Sequence, residues 1–225
     1  MIPFSVASTD SPGAFAFILD MDGVIVDSHA VHVEAWRQYL LRHGLSVEEI
    51  GPRMHGRHNG ELVREIFGPQ LTDAEVFAHG AAKEALYREI MAPQLHARLV
   101  PGVAAFLGRH AAVSAAVASN AEPANLEFVL DGAGLRERFR VVIDGHQVER
   151  PKPDPEIFLL AASLLGFDPA RCIVFEDSAP GIEAARGAGM RVVGVNTTGS
   201  VLPPTDCTVA DFSDSDLGAW LARSC

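Results

Sequence analysis

Residues 15–28 read Phe-Ala-Phe-Ile-Leu-Asp-Met-Asp-Gly-Val-Ile-Val-Asp-Ser, and this stretch carries the strongest indication of the fold. Five apolar residues, Phe15 to Leu19, lead directly into Asp20, and Asp22 and Gly23 follow. An apolar run without polar alternation is typical of a strand that is buried on both faces of a parallel sheet. Such sheets bind ligands beyond the carboxyl ends of their strands, where both carboxylates would lie. Two carboxylates this close are costly to desolvate, which favours compensation by a cation or a reacting group.

Three later segments carry polar residues that complement the first stretch. They are Val117-Ala118-Ser119-Asn120, then Arg150-Pro151-Lys152-Pro153-Asp154-Pro155, and then Val174-Phe175-Glu176-Asp177-Ser178. With the first stretch, and in this order, these segments resemble the four motifs of the haloacid dehalogenase superfamily of phosphotransferases. The resemblance covers the chain from about Phe15 to Asn196 and implies an enzyme that transfers phosphoryl groups.

The composition bounds the class of protein and its partners. With 225 residues, of which 48% are hydrophobic and 21% charged, the chain is expected to form one large domain or a domain with a smaller insertion. Its net charge of −11 disfavours nucleic acid and anionic membranes as partners, because both need basic surfaces. The same charge would repel a phosphate ester unless a divalent cation reversed the local sign. The resemblance implies a small phosphorylated metabolite as the partner, and we expect a monomer or weak homodimer as the assembly.

The cysteines and the first residues indicate the compartment. Cys172, Cys207 and Cys225 lack metal-ligand spacing and indicate free thiols in a reducing compartment. Residues 1–13 lack the basic and apolar regions of a signal peptide, and no apolar run approaches the length of a membrane span. A cytoplasmic protein is therefore expected.

The order of the elements predicts the fold class. Nothing between Ser28 and Leu95 has strand character; Ser28 is expected to cap a helix to about Arg42, and capping boxes occur at Ser46–Glu49 and Thr72–Glu75. After this block strands alternate with helices, which is typical of right-handed βαβ units. The predicted fold is α/β, a doubly wound parallel sheet (a Rossmann-like core) with an inserted all-helical cap. The predicted core comprises residues 14–27 and 98–225, and the predicted cap residues 28–97.

The resemblance implies chemical roles for the core motifs. It makes Asp20 the nucleophile that forms an aspartyl-phosphate, and Asp22 the general acid and base. Ser119 would donate to a phosphoryl oxygen, and Lys152, stiffened between two prolines, would neutralise Asp20 and the phosphoryl group. Taken alone, Ser119 could instead cap the next helix and Lys152 could lie on the surface. The predicted substrate-binding residues of the core are Gly23 and Asn120.

The predicted cofactor is Mg²⁺. Glu176 and Asp177 end a buried strand, so their carboxylates would reach the same sheet edge and supply the oxygen ligands that Mg²⁺ prefers. The resemblance implies contacts from the Asp20 carboxylate, the Asp22 main-chain carbonyl and Asp177, with Glu176 more often acting through water. A structural alternative, that the two acids cap the helix from Pro180, can coexist with metal binding. The predicted metal ligands are Asp20, Asp22, Glu176 and Asp177.

The helical insertion resembles the cap of the β-phosphoglucomutase-like subgroup. His32 matches a residue of its first helix, His55 and Gly56 match its specificity loop, and Lys83 matches a cap lysine that points at the active site. A surface histidine and a solvated lysine remain open as alternatives for His32 and Lys83. Arg57, with its neighbour His58, is a candidate contact for a second phosphate of the substrate.

Departures from the mutase pattern decide the predicted activity. Asn59 stands where the mutase has an arginine for the second phosphate, and Ala121-Glu122 replace a Ser-Lys pair. Asp22 disfavours the dehalogenase and phosphonatase branches of the superfamily, which do not carry Asp at this position. We therefore predict a Mg²⁺-dependent phosphatase of a small phosphorylated metabolite, with a sugar phosphate as the expected substrate. The alternative is a hexose-phosphate mutase; a receiver domain of the CheY type is disfavoured by the helical insertion and by Asp22.

Overall fold

The structure, a computed structural model, describes residues 15–45 and 59–224. Its chain divides into two compact units. The first runs to Val26 and resumes at Leu99, and the second spans Asp27–Arg98. Within the described ranges, no helix combines the length and hydrophobicity that a transmembrane span requires.

The regular elements in the described part of the second unit are helical. They are α1 (His29–Arg42), α2 (Asn59–Phe67), α3 (Asp73–Met91) and two short 3-10 helices, Ala92–Gln94 and His96–Arg98. Helix α1 packs against α3, and α2 packs against the same helix. Their internal face is apolar, with Trp36 and Leu40 of α1 almost fully buried.

The start of α3 confirms one predicted capping box, and the start of α1 corrects another expectation. The Glu75 N–H donates to the Thr72 hydroxyl, and the Thr72 N–H donates to the Glu75 carboxylate. Helix α1 does begin after Ser28, but the Ser28 side chain makes no capping hydrogen bond. The reason is its backbone, which has helical dihedrals (φ −98°, ψ −17°) in place of the extended ones that a capping side chain needs. The capping box predicted at residues 46–49 lies outside the described residues.

The first unit is built on a sheet of six parallel strands. They are β1 (Ala16–Leu19), β2 (Ser114–Ala118), β3 (Val141–Ile143), β4 (Cys172–Glu176), β5 (Arg191–Val195) and β6 (Cys207–Val209). Their order is β3-β2-β1-β4-β5-β6, and each neighbouring pair is parallel. The chain thus moves outward from β1 in one direction, returns beside it as β4, and moves outward in the other direction. This doubly wound sheet, which confirms the predicted fold class, has its topological switch point between β1 and β4.

Helices connect the strands of the first unit. They are α4 (Val103–Arg109), α5 (Pro123–Gly132), α6 (Glu156–Leu165), α7 (Ala179–Gly187) and α8 (Ser215–Ser224), with short 3-10 helices at Arg136–Arg138 and Pro169–Arg171. Helix α6 packs against β1, β2 and β3, whereas α7 packs against β4 and β5.

Strand β1 is buried on both faces, which explains its uninterrupted apolar run. On one face Ile18 belongs to an apolar cluster that includes Phe158 of α6. On the other face the Phe17 ring lies 5.2 Å from the Phe106 ring and 5.3 Å from the Phe175 ring, measured between ring centroids. Burial of each such side chain contributes about 1.5–3 kcal/mol to stability. Strand β1 is therefore a rigid base for the acidic residues that follow it.

Candidate active site

Polar side chains converge at the carboxyl edge of the sheet. Asp20 directly follows β1, Ser119 follows β2, and Glu176 and Asp177 lie at the end of β4. Because β1 lies between β2 and β4 and all three strands are parallel, these residues are neighbours. The Asp20 N–H also donates to the Phe175 carbonyl at 3.0 Å, which fixes the Asp20 main chain against β4.

Lys152 joins Asp20 and Glu176 in a buried ionic cluster. Its Nζ lies 2.6 Å from Asp20 Oδ1, 2.8 Å from Glu176 Oε1 and 2.9 Å from the Ala118 carbonyl oxygen. An ammonium carries three N–H donors, so these contacts use its full capacity. The charge also lies 4.7 Å from the centre of the Phe158 ring. Lys152 is only 7% exposed, so the alternative of a surface lysine is wrong.

The Glu176 carboxylate is held on both sides. Its Oε2 accepts hydrogen bonds from the Ser178 N–H and the Ser178 hydroxyl, each at 2.9 Å. A Cβ atom at Gly181 would lie 1.7 Å from Glu176 Oε1, so α7 can begin against the carboxylate only because that residue is glycine. Glu176 is 1% exposed, and both its oxygens have donors within the protein. This arrangement favours a role in holding Lys152 over direct contact with a metal ion.

The cluster contains more acid than base. Burial raises the pKa of Asp20 to about 7; attraction from Lys152 opposes this, whereas repulsion from Glu176 and Asp22 adds to it. Burial and the neighbouring carboxylates also raise the pKa of Asp177 well above its ordinary value. Burial alone would lower the pKa of Lys152, but Asp20 and Glu176 attract its charge and raise that pKa above the ordinary value. The site therefore holds one positive charge, that of Lys152, among four carboxyl groups, those of Asp20, Asp22, Glu176 and Asp177.

Gly23 allows the chain to pass closely over Asp177. Its φ is +76°, a conformation that favours glycine, and its N–H donates to the Val26 carbonyl at 2.8 Å. A Cβ atom at Gly23 would lie 1.9 Å from Asp177 Oδ2. Any side chain there would therefore displace the Asp177 carboxylate. The predicted contact between Gly23 and substrate stays a prediction.

The donors at this edge fit a magnesium ion. Among residues 15–45 and 59–224, no set of three or more His, Cys, Asp or Glu side chains is arranged to hold a metal ion. Mg²⁺, however, is usually bound through one or two carboxylates, with water and substrate phosphate oxygens completing its shell. The Asp20 and Asp177 carboxylates lie at this edge, and with the Asp22 main-chain carbonyl they stay the predicted ligands of such an ion. A divalent cation would also offset the repulsion that raises the pKa of both carboxyl groups.

Ser119 and Asn120 lie beside the ionic cluster. Ser119 is 3% exposed, and its Oγ accepts a hydrogen bond from the Ala121 N–H at 3.2 Å. Helix α5 has Glu122 as its N-cap residue, so the alternative in which Ser119 caps that helix is wrong. The Asn120 Oδ1 accepts from the Lys152 N–H at 3.3 Å, which ties the two loops together.

In the second unit, His32 and Lys83 belong to a separate buried network. The Lys83 Nζ lies 2.8 Å from His32 Nδ1 and 2.8 Å from Glu84 Oε1, and the Asn59 amide also donates to Glu84. The His32 ring stacks on the Tyr87 ring, with centroids 3.9 Å apart. Lys83 is 1% exposed, so the alternative of a solvated lysine is wrong. Its predicted role in substrate binding, like that of His32, stays a prediction; His55, Gly56 and Arg57 lie outside the described residues.

Glu84 is expected to stabilise the second unit in a pH-dependent way. Burial alone would raise its pKa, but attraction from Lys83 and His32, with hydrogen bonds from Lys83 and Asn59, lowers it from 4.5 to about 2. Because the folded pKa lies below the unfolded one, the stabilisation is present above pH 4.5 and is lost as the pH falls towards 2. We expect Glu84→Gln to lower the free energy of unfolding by about 3 kcal/mol at neutral pH, and the loss to shrink in acid.

The measurement is urea unfolding followed by Trp36 fluorescence in a Trp220→Phe background, since Trp36 lies in α1 and the chain has two tryptophans. Glu34→Gln is the matched control. Hydrogen bonds from Arg37 and Gln38 also lower the pKa of Glu34 to about 2, but its side chain is 36% exposed. Water screens such a group, so its loss is expected to cost less than about 1 kcal/mol. Equal losses for both variants would contradict the burial argument.

Several contacts were missed by sequence reasoning. The pairing of Glu84 with Lys83 was not expected, because adjacent residues on a helix do not face each other. The two bonds from Ser178 and the Ala118 carbonyl contact also went unpredicted. The composition held one signal that could have singled out these two buried cations. Lys83 and Lys152 are the only lysines of the chain, whereas its other basic residues are arginine and histidine.

Comparisons with known proteins agree with this geometry. The family model described as haloacid dehalogenase-like hydrolase matches residues 16–189, which include β1 and all the residues of the ionic cluster. The chain belongs to this family. As a haloacid dehalogenase-like hydrolase it is an enzyme, and the resemblance noted in its motifs is confirmed.

Relatives within this family include phosphatases and a mutase. Fructose-1-phosphate phosphatase YqaB of Escherichia coli (strain K12) is 35% identical over 182 residues, covering 79% of this chain and 94% of that protein. Hexitol phosphatase A of the same organism is 30% identical over 190 residues, covering 80% and 82%. The crystal structure of β-phosphoglucomutase from Clostridium difficile superposes with a TM-score of 0.80 at 25% identity, covering 93% of this hydrolase and 98% of that chain. The proteins similar to this chain thus include both phosphatases and a phosphoglucomutase.

Proposed function

We propose that this protein is a Mg²⁺-dependent phosphatase that hydrolyses a small sugar or sugar-alcohol phosphate through an aspartyl-phosphate. The observation that carries the proposal is the buried cluster of Asp20, Lys152 and Glu176 at the carboxyl end of the central strand. A carboxylate fixed at that point beside a permanent positive charge suits nucleophilic attack on phosphorus. The similarity to a fructose-1-phosphate phosphatase and to a hexitol phosphatase supports this class of substrate.

The proposed reaction has two displacements at phosphorus. An Asp20 carboxylate oxygen bonds to phosphorus as the bond to the sugar oxygen breaks, and Asp22 donates a proton to the departing oxygen. Asp22 then takes a proton from water, whose oxygen bonds to phosphorus as the bond to Asp20 breaks. Inorganic phosphate is released, and both carboxyl groups return to their starting states.

The remaining residues stabilise the transferring group. The Lys152 donors are committed to Asp20, Glu176 and Ala118, so its charge acts at Asp20 and orients the nucleophile. Ser119 accepts from Ala121 through oxygen, and its hydroxyl can therefore donate to a phosphoryl oxygen. Mg²⁺, held by Asp20, Asp177 and the Asp22 carbonyl, would supply charge neutralisation of the phosphoryl oxygens.

A hexose-phosphate mutase is the second candidate, because β-phosphoglucomutase shares the fold. A mutase must hold a phosphate at each end of a bisphosphate, which requires cationic or donor groups at both ends. The Asn59 amide, at the position of the mutase arginine, donates to Glu84, and Ala121 offers no side-chain donor. Both features favour hydrolysis.

The test is to assay the purified full chain on fructose 1-phosphate, sorbitol 6-phosphate and β-glucose 1-phosphate, the last with a catalytic amount of the 1,6-bisphosphate. We expect release of inorganic phosphate that requires Mg²⁺, with activity lost in a chelator and restored by added Mg²⁺. Each charge-assisted contact missing for a distal phosphate weakens its binding by about 1.5–3 kcal/mol, so little glucose 6-phosphate should form.

Two outcomes would contradict the proposal. Full activity in the presence of a chelator would exclude the metal requirement. Accumulation of glucose 6-phosphate without inorganic phosphate would identify a mutase.

A further inference from the structure

A hydrogen bond connects the far side of the sheet to the turn that carries Asp22. The Thr197 hydroxyl donates to the Gly23 carbonyl oxygen at 2.9 Å. Thr197 lies two residues beyond β5, whereas Gly23 lies four residues beyond β1, and β4 separates these two strands in the sheet. The turn after β1 therefore extends over the end of β4 and is held from the end of β5.

The other main-chain hydrogen bonds of the turn are mostly internal, and one, from the Val100 N–H to the Ile25 carbonyl at 3.0 Å, ties its far end to the segment before α4. The N–H groups of Ile25 and Val26 donate to the Met21 carbonyl at 2.8 and 3.1 Å, and the Gly23 N–H donates to the Val26 carbonyl. These bonds give the turn its shape but do not tie it to the other strands. The close approach of Gly23 to Asp177 limits the turn on one side only, since it is a steric contact without a hydrogen bond. The Thr197 bond supplies an attraction at Gly23 itself, next to Asp22 and away from the Val100 contact.

We propose that Thr197 is a positioning residue that holds the Gly23 carbonyl and thereby places the Asp22 carboxylate for proton transfer to the departing sugar oxygen. This inference rests on the phosphatase function proposed above. Asp22 is bonded directly to Gly23, so a shift of the Gly23 peptide moves the acid. Thr197 touches no reacting atom, and its effect on the reaction passes through the turn.

The inference predicts a dependence on the leaving group. A sugar alkoxide is a poor leaving group and needs a proton from Asp22, whereas p-nitrophenolate leaves without one. The quantity to measure is kcat/KM, which reports the steps up to phosphorylation of Asp20. We expect Thr197→Val to lower kcat/KM by roughly 10–100-fold for the best sugar phosphate of the panel above, because displacement of a catalytic group by about 1 Å has effects of this size. For p-nitrophenyl phosphate the loss should stay within about 3-fold, since no proton transfer is needed.

Two matched variants accompany it. Thr197→Ser keeps the hydroxyl and should restore the ratio of the two kcat/KM values to that of the wild type. Thr198→Val removes the same group one residue further on, where it is exposed and bonds only locally, to Ser200, and should leave both values unchanged. Thermal unfolding of each variant shows whether it is folded.

The outcomes separate the two proposals. A wild type that hydrolyses neither the sugar phosphates nor p-nitrophenyl phosphate would overturn the phosphatase proposal itself. With an active wild type, equal losses on both kinds of substrate, or no loss on either, would overturn the role of Thr197. If Thr197→Val unfolds, Thr197→Ser decides the matter, because a ratio that departs from the wild-type ratio despite the hydroxyl contradicts the proposal.

Discussion

Asp20→Asn is expected to lower kcat for phosphate release by roughly 10⁴-fold or more, because loss of a nucleophile returns the reaction to its very slow background rate. Asparagine has nearly the shape of aspartate, so the fold should survive, and Lys152 keeps its bonds to Glu176 and Ala118. The measurement is steady-state release of inorganic phosphate from the best sugar phosphate. Asp131→Asn, at an exposed position of α5, is the matched control and should retain the wild-type rate.

The covalent step can be tested separately. In Asp22→Asn, p-nitrophenyl phosphate should still phosphorylate Asp20, whereas hydrolysis of the acyl phosphate should slow because the general base is absent. Acid quenching followed by peptide mass analysis should then find one added phosphoryl group on the peptide that contains Asp20. A phosphoryl group on another residue, or an Asp20→Asn variant with a near-normal rate, would contradict the aspartyl-phosphate mechanism.

Lys152→Met is expected to have the second largest effect, on stability as well as on rate. It leaves Asp20 and Glu176 buried without their cation, and removal of one partner from a buried ionic cluster costs about 3–5 kcal/mol. Loss of the fixed charge beside the nucleophile should also lower kcat by about 10²–10³-fold. Urea unfolding is followed by Trp220 fluorescence in a Trp36→Phe background, because Trp220 lies in α8 of the first unit.

A double variant identifies the cause of the instability. Lys152→Met combined with Glu176→Gln removes the surplus negative charge, and we expect it to recover about 1 kcal/mol or more relative to Lys152→Met alone. The rate should not recover, since the charge beside Asp20 is still missing. Arg186→Met, at an exposed position of α7, is the control for loss of a positive charge and should change stability by less than about 0.5 kcal/mol. A double variant less stable than Lys152→Met would contradict the electrostatic explanation.

The architecture of the first unit could be predicted from the amino-acid sequence. The apolar run before Asp20 and the later alternation of strands with helices indicated a buried parallel sheet, because the strands of such a sheet bury consecutive apolar residues on both faces. Parallel strands bring their carboxyl ends to one edge, so Asp20, Ser119 and Asp177 could be placed together from their positions after strands. The fold class followed from these local signals, and the family followed from the resemblance of the four motifs, which the family model confirms.

The pairing of groups within the site became visible only in the folded structure. Lys152 is 132 residues from Asp20 and 24 from Glu176. The periodicity of the sequence does not indicate that the Lys152 ammonium bonds to both side chains and to the Ala118 carbonyl. The Thr197 bond to Gly23 spans 174 residues for the same reason. Sequence patterns report which face of an element is buried. Hydrogen bonds depend instead on distances of about 3 Å between groups that are far apart in the sequence, and these distances exist only once the elements have packed.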